Sequence, residues 1–473
     1  MKKEDLYRAM NTIEDDLLDE AERQPAVHKA GSRRVWTGIA VLAAALVLMV
    51  SAPRFMSGSS AADQAKPEEA LAAVEENTDG AGTSTFGING REYGTPAEGY
   101  DMEEKAMEPT ALFYEHTLTL IDSKEENRVI SPINIYTAMS LLAEITAGET
   151  QKELFAALGV QDEEALRVYN DRIYVSNNVE TEELVSMTGN SVWLAEGREY
   201  RKDTLDVLAE RYHADAFEGV MGSSAYNRQL QKWLNDHTGN LLQDSVSGVN
   251  MSEDAMLALA SALYYKAAWT DAFYRAEDKA VFHAYSGEEE VTYLRRTDDH
   301  GTLYSGDLFT AVCLPLQGGE VWVVLPEEGS TVSDVLQSGS AFRLVDSCGA
   351  GARQETGDLH ITIPEFDVSC DLSLMDRLPD LGITKVLNPG ADFTNITDDD
   401  IALSVIKHAA RFMADEDGVS GAAYTIMVFD TMAMMPEEET KDLYFTADRP
   451  FLFFVKGNDG SLLFAGTVNH PEE

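Results

Sequence analysis

Apolar residues recur along this chain with helical spacing early and with strand spacing late, and one long apolar run follows neither pattern. Leu6, Met10, Ile13 and Leu17 are separated by four, three and four residues, which puts them on one face of a short helix. Residues 111–121, with Leu112, Leu118 and Ile121 as apolar members, and residues 135–145 are predicted as amphipathic helices. The segments VWVVLP at 321–326, LHITIPEFDV at 359–368 and PFLFFVKG at 450–457 are dense in β-branched or aromatic residues. Each is closed by Pro, Gly or charge, so all three are predicted as strands. Helices early and strands late imply an α+β architecture. No internal repeat is visible.

The run without period is WTGIAVLAAALVLMVSA, residues 36–52, seventeen positions without a charge. That is just long enough to cross a bilayer core as a helix. Lys29, Arg33 and Arg34 precede it, whereas only Arg54 and then Lys66 follow. The positive-inside rule therefore keeps the N-terminus in the cytoplasm and puts the rest outside a cell membrane crossed once. A cleavable signal peptide is the competing reading. Its charged leader is normally short, and the long, partly acidic segment before this span favours an uncleaved anchor. The expected organisation is a cytoplasmic amphipathic segment at 1–34, a single transmembrane helix at 35–52 and a flexible extracellular tether at 53–105, followed by a folded domain at 106–473. The helical face at Leu6–Leu17 suits a partner-binding or membrane-lying helix, or a helix end that only orients the anchor. The tether is rich in Ala, Gly, Ser, Glu and Asp and has no sustained period.

Composition narrows the possible functions. The chain has 473 residues, 44% hydrophobic and 25% charged, with a net charge of −46. Such a charge repels phosphate backbones, so nucleic acid is excluded as a partner. Three cysteines, Cys313, Cys348 and Cys370, form no metal-binding spacing. Cys313, in AVCLPL, is expected as a small buried hydrophobe, and a Cys348–Cys370 disulfide stays open. There is no G-x-S-x-G elbow, no H-E-x-x-H and no phosphate-binding glycine loop. ADEDG at 414–418 lacks the alternating oxygen ligands of a calcium loop, and TDDDIA at 397–402 fits a solvated turn. His408, in the apolar segment VIKHAARF, is expected as a core histidine. The chain is not expected to be an enzyme or to need a cofactor or metal.

One further stretch stands out, DEDGVSGAAYTIMVFDTMAMMPEEE at 415–439. Between its acidic ends, residues 418–429 carry neither charge nor proline. Such a segment can become a buried strand: nothing interrupts a ladder and no charge must be desolvated. If Val419 faces inward, alternation turns Gly421, Ala423, Thr425, Met427 and Phe429 inward as well. Small residues at Gly418, Ser420, Gly421, Ala422 and Ala423 would let a hinge bend. An ordinary strand that never moves has the same pattern.

NRVISPINIYTAMSLLAEITAGETQKELFAALGV at 127–160 resembles the opening signature of the serpins, the serine protease inhibitors. NSVWLAEG at 190–197 and LALASALYYKAAWTDAF at 257–273 resemble core strands of that family. HITIPEFDVSCDLSLMDRLPDLGITKVLNPGADFTNIT resembles the segment before its reactive loop, and DRPFLFFV with LFAGTVNHP resembles its C-terminal signature. The resemblance covers about 365 residues in one order.

It implies three β-sheets ringed by helices, with an exposed reactive-centre loop at about 416–440 as bait. A target serine protease cuts the loop and is acylated by it. The freed loop then enters the main sheet as a new strand and traps the covalent complex. Residue by residue, Glu416 matches the glutamate that starts the hinge, Gly418 its glycine and Thr425 a hinge-end threonine. Counting from Glu416 puts the scissile bond at Met432–Ala433. The loop is several residues longer than is common, which keeps Phe429, Met434 and Met435 as alternatives. Apolar residues around Met432 suit an elastase-like or chymotrypsin-like target. Ser131, Asn134, Trp269 and His408 match the region that parts to admit the loop. Val419, Gly421 and Tyr424 depart from the family's hinge pattern, and Asn134 stands where serine is frequent. HTGNLL at 237–242 is a shifted form of a family helix end. These departures bear on insertion speed. The implied protein is a monomeric, membrane-tethered suicide inhibitor on a bacterial surface, or a non-inhibitory serpin used for binding or sensing.

Overall fold

A computed structural model describes residues 42–51, 108–419 and 441–471. In chain order, its main sheet is built from β1 (Leu42–Ser51), β2 (Val179–Glu180), β3 (Leu184–Ala195), β4 (Ala214–Gly219), β5 (Ala255–Ala268), β6 (Phe366–Ser373), β7 (Ala402–Ala414) and β8 (Gly418–Val419). Side by side the order is β6-β7-β1-β5-β3-β2, with β4 parallel to β3 and β8 antiparallel to β5. A nine-stranded second sheet includes Arg353–Pro364, Gly319–Pro326, Phe451–Gly457 and Leu462–Val468, with Asp442–Thr446 at one end of its order. A two-stranded hairpin, Ala280–Ala284 with Gly287–Val291, is the third. With helices packed around them, the three sheets form the α+β architecture expected from the chain.

Local chemistry explains the helix that backs the main sheet, Pro132–Ile145. Ser131 is extended and its side chain accepts from the Asn134 amide, while Pro132 occupies a first-turn position that needs no donor. Every residue of this helix is buried, including Glu144. Arg167 holds the Glu144 carboxylate with two bonds of 2.8 and 2.9 Å, and the Tyr212 hydroxyl donates to it at 2.9 Å. The helix packs on β1, β5 and Leu462–Val468.

Several sequence expectations change in detail. The helix predicted over 111–121 is an α-helix over Glu108–Thr117 followed by a 3-10 turn, Leu118–Ile121, and Leu112 is 61% exposed rather than on the buried face. The single strand predicted at 359–368 is two strands in two sheets, the first ending at Pro364 and the second beginning at Phe366. Proline cannot donate to a ladder, and Phe366 turns into an aromatic cluster with Phe412, Phe451 and Phe453. All three cysteines are free, so the Cys348–Cys370 disulfide is not formed. Cys313 is half-buried, not a fully buried hydrophobe.

The largest difference concerns the apolar run. Where a transmembrane helix was expected at 35–52, Leu42–Ser51 is a strand, paired on one side with β7 and on the other with β5. Among the described residues, no helix is long and apolar enough to cross a membrane. The physical demands of the two settings coincide. Bilayer and sheet interior both exclude charge and require every backbone donor and acceptor to be paired. An uncharged Ala-, Val- and Leu-rich segment meets either demand, and its composition does not choose between them. The expected cytoplasmic segment and tether lie outside the described residues.

Candidate functional site

The candidate site is the end of the main sheet at 415–419, where the resemblance expects the reactive loop to begin, together with the part of the sheet between β5 and β7 that β1 occupies. After β7, the chain turns at 415–418. Asp415 Oδ1 accepts from the amides of Asp417 (3.0 Å) and Gly418 (3.2 Å), and the Asp415 amide donates to the Gly418 carbonyl at 3.1 Å. This is an aspartate-capped turn, so the carboxylate in ADEDG is used by backbone amides. Burial raises the Asp415 pKa to about 6 despite those two amide bonds.

Three donors beyond the end of β5 grip the same turn. The Trp269 indole N–H donates to the Asp415 carbonyl at 2.9 Å. The Phe273 amide donates to Glu416 O at 3.1 Å, and the Trp269 amide to Asp417 O at 3.4 Å. Trp269 and Phe273 pack edge to face with centroids 5.3 Å apart. The buried Arg296 guanidinium lies 4.8 Å over the Phe273 ring and pairs with Asp298.

Beyond the turn, Gly418 and Val419 pair with Ala268 and Ala267 of β5. Gly418 has φ +155°, and a Cβ there would meet Ala267 O at 2.6 Å and Ala268 Cα at 2.8 Å, both backbone atoms. Only glycine fits this approach. Val419 is fully buried in the core, the inward orientation on which the alternation argument depends.

Ser420, Gly421, Ala422, Ala423, Thr425, Met427, Phe429, Met432, Ala433, Met434 and Met435 lie outside the described residues. The chain is described again from Lys441, where Asp442–Thr446 pairs in parallel with Arg353–Pro364 of the second sheet. The two ends of the segment 420–440 are thus held in different sheets.

Halfway down the sheet, the start of helix Pro132–Ile145 touches both walls of the gap. The Ser131 amide donates to His408 Nε2 on β7 at 3.1 Å, and Asn134 Nδ2 makes a long 3.5 Å contact to Ser261 O on β5. His408 is wholly buried. Desolvation lowers its pKa to about 3, so the ring is neutral, and its Nδ1 finds no partner among the described residues. Ser131, Asn134 and His408 lie together at this level, with His408 in the core, and Trp269 sits at the upper end of the sheet beside the 415–418 turn.

Both walls are joined through β1. Leu46 pairs with His408 on one side and with Ser261 on the other. Leu48 is fully buried in the larger core cluster, and Met49 is buried in the separate cluster with Trp193 and Trp233. Sequence analysis missed Ser261 and the capping role of Asp415. An aspartate three residues before a glycine is a legible turn signal. Ser261 has no local signal, because only sheet register gives it a role.

A turn gripped at the end of one sheet, a return strand held in another and a helix start that touches both β5 and β7 form a distinctive arrangement. The serpin (serine protease inhibitor) family matches residues 112–471. The chain belongs to the serpins.

Among curated relatives, a serpin-like protein of Thermococcus kodakarensis is 27% identical over 398 residues, covering 80% of this chain and 90% of that protein. Human neuroserpin is 25% identical over 370 residues, covering 74% and 87% respectively. The native-state crystal structure of the thermophilic serpin tengpin superposes with a TM-score of 0.65 at 20% identity, covering 80% of this chain and 97% of that one. Serpins are protease inhibitors rather than enzymes, and the catalytic motifs absent from this sequence are not needed for that task.

Proposed function

We propose that this serpin is a suicide inhibitor of elastase-like or chymotrypsin-like serine proteases, with Met432–Ala433 as its scissile bond. Phe429, Met434 and Met435 are the neighbouring alternatives. The observation that carries this reading is the start of β8: Val419, the first apolar residue after the hinge glycine, is already paired with β5 and buried. The protease serine attacks the carbonyl of residue 432, the amine of residue 433 leaves, and the loop remains esterified to the enzyme. Continued pairing along β5 then carries the ester, and the protease with it, down the sheet. Glu416, Gly418, Thr425 and the small residues between them serve as the hinge. No basic residue lies between Glu416 and Lys441, so trypsin-like enzymes are poor targets.

The same reading holds the serpin domain outside a bacterial cell, tethered by the uncharged run at 36–52 in a helical, membrane-inserted form. Its support is the length of that run and the excess of Lys and Arg before it. A non-inhibitory role in binding or sensing is favoured by one observation only, that β1 already fills the gap between β5 and β7.

The full chain is mixed with a pancreatic-type elastase and followed by denaturing gel and by mass spectrometry of the released peptide. A band at the summed mass, with a new N-terminus at Ala433, is expected. Cleavage with no covalent band and no gain in thermal stability would leave the binding role. For the tether, flotation of the full chain with phospholipid vesicles is expected, and a chain left wholly in the soluble fraction refutes it.

A further inference from the structure

The strand beside β5 and the loop that must enter beside β5 require the same place. β1 runs antiparallel to β5, from Leu42 opposite Tyr265 to Ser51 opposite Ala255, and β8 runs antiparallel to β5 as well. The two therefore point in the same direction down one column. Val419 faces Ala267, and Leu42 faces Tyr265, two residues further along. Continuing the β8 pairing residue by residue sets Gly421 against Tyr265, Thr425 against Ser261 and Phe429 against Leu257. Those partners are held by Leu42, Leu46 and Val50.

The orientations agree too. Leu48 faces Leu259, the residue Met427 would face, and both Leu48 and Val419 belong to the larger core cluster. On the other wall, β1 is paired from Ala43–Arg411 to Ser51–Ala402, and Ser404 Oγ donates to Met49 O at 3.1 Å. The ladder edges of β5 and β7 along this gap are thus occupied by β1.

We propose that Leu42–Ser51 is an intramolecular competitor of the reactive loop: it fills the strand slot of the main sheet, and protease trapping requires its withdrawal. The proposal rests on the inhibitory reading above. While β1 is seated, an acylated loop can pair no further than the hinge, and the ester is hydrolysed before the protease is moved. Molecules in that state are cut as substrates, and complex forms only from those in which β1 has withdrawn. A segment cannot be at once a bilayer helix and a sheet strand, so withdrawal into a membrane is one way to empty the slot.

The test pins and breaks the strand in the full chain. Ala45 faces Ala409, so Ala45→Cys with Ala409→Cys places a thiol pair across β1 and β7, and Ala409→Cys alone controls for pairing with a native cysteine. A disulfide is expected to form in the double variant, and the oxidised chain is expected to be cut by elastase with no covalent complex. Leu46→Pro removes a ladder donor from the middle of β1 and is expected to raise the rate of complex formation at least about ten-fold over the unmodified chain.

Failure of the disulfide to form overturns the proposal by showing that the slot is not held by β1. A disulfide-locked chain that still traps elastase also overturns it, and leaves the inhibitory reading standing. If the disulfide forms but neither the reduced chain nor Leu46→Pro traps any protease, the inhibitory reading fails and the proposal falls with it.

Discussion

Val419 and Leu42 stand in a single column of the main sheet, paired with Ala267 and Tyr265 of the same strand and both heading the same way. One ends β8, just before the proposed reactive loop, and the other begins a strand far away in sequence. Their alignment makes the competition between the two segments a matter of register rather than of general proximity.

The hinge can be closed at Gly418. A Cβ at this position would press on Ala267 O and Ala268 Cα, which belong to the backbone of a central strand and cannot yield. Gly418→Ala is expected to unpair Val419, to destabilise the fold by roughly 1–3 kcal/mol and to slow complex formation with elastase. Urea unfolding and the rate of covalent complex formation check this. An unchanged rate would mean that β8 does not start insertion.

His408 makes stability fall in acid. Its folded pKa, lowered to about 3 by burial, lies below the ordinary histidine value of about 6.5, so the unfolded chain binds the proton more readily. The stabilising effect of a neutral His408 is complete above the ordinary value and is lost as pH falls from about 6.5 towards 3. His408→Gln is expected to flatten this part of the pH–stability curve. Equal slopes for both proteins would assign the acid sensitivity elsewhere.

Asp415 acts in the opposite sense. Its folded pKa, raised to about 6, exceeds the ordinary aspartate value of about 3.9, so the folded chain holds this proton more tightly. Its contribution is full below about pH 4 and is lost as pH rises through about 6. Asp415→Asn keeps an oxygen acceptor for the Asp417 and Gly418 amides but cannot titrate. Hydrogen exchange of these two amides, compared between the proteins across pH 4 to 7, should show a pH dependence in the native chain that the variant lacks.

The Glu144–Arg167 pair supports the helix that clamps the slot. Glu144→Ala would leave Arg167 without its bidentate partner and Tyr212 without its acceptor. The Arg167 side chain is 25% exposed and can be hydrated, so the expected loss is about 1–3 kcal/mol, mainly from the buried Tyr212 hydroxyl left without its acceptor, and less for Glu144→Gln, which keeps an acceptor oxygen. Chemical denaturation of the two variants measures the difference.

Much of this was available from residue order alone. Ser131 followed by Pro132 announces a helix start, and the charge-free stretch after Gly418 announces a segment able to become a strand. The family signatures made the serpin resemblance legible, and with it the expectation of a hinge at Glu416 and Gly418. The 359–368 run was legible as strand but not as a corner, because its two halves belong to different sheets and only the assembled sheets separate them. Ser261 acquires its place opposite the helix clamp only through the register of β5.

The uncharged run at 36–52 shows where sequence stops. Its composition determined that these residues must avoid water and satisfy their backbone groups internally or against a partner. It did not determine whether the partner is the segment's own helical turn in lipid or the open edges of β5 and β7. That choice was made by the tertiary structure, which provides two parallel walls with a strand's width between them. Hydrogen-bonding capacity across a gap is a property of the assembled sheet and is written in no single stretch of chain.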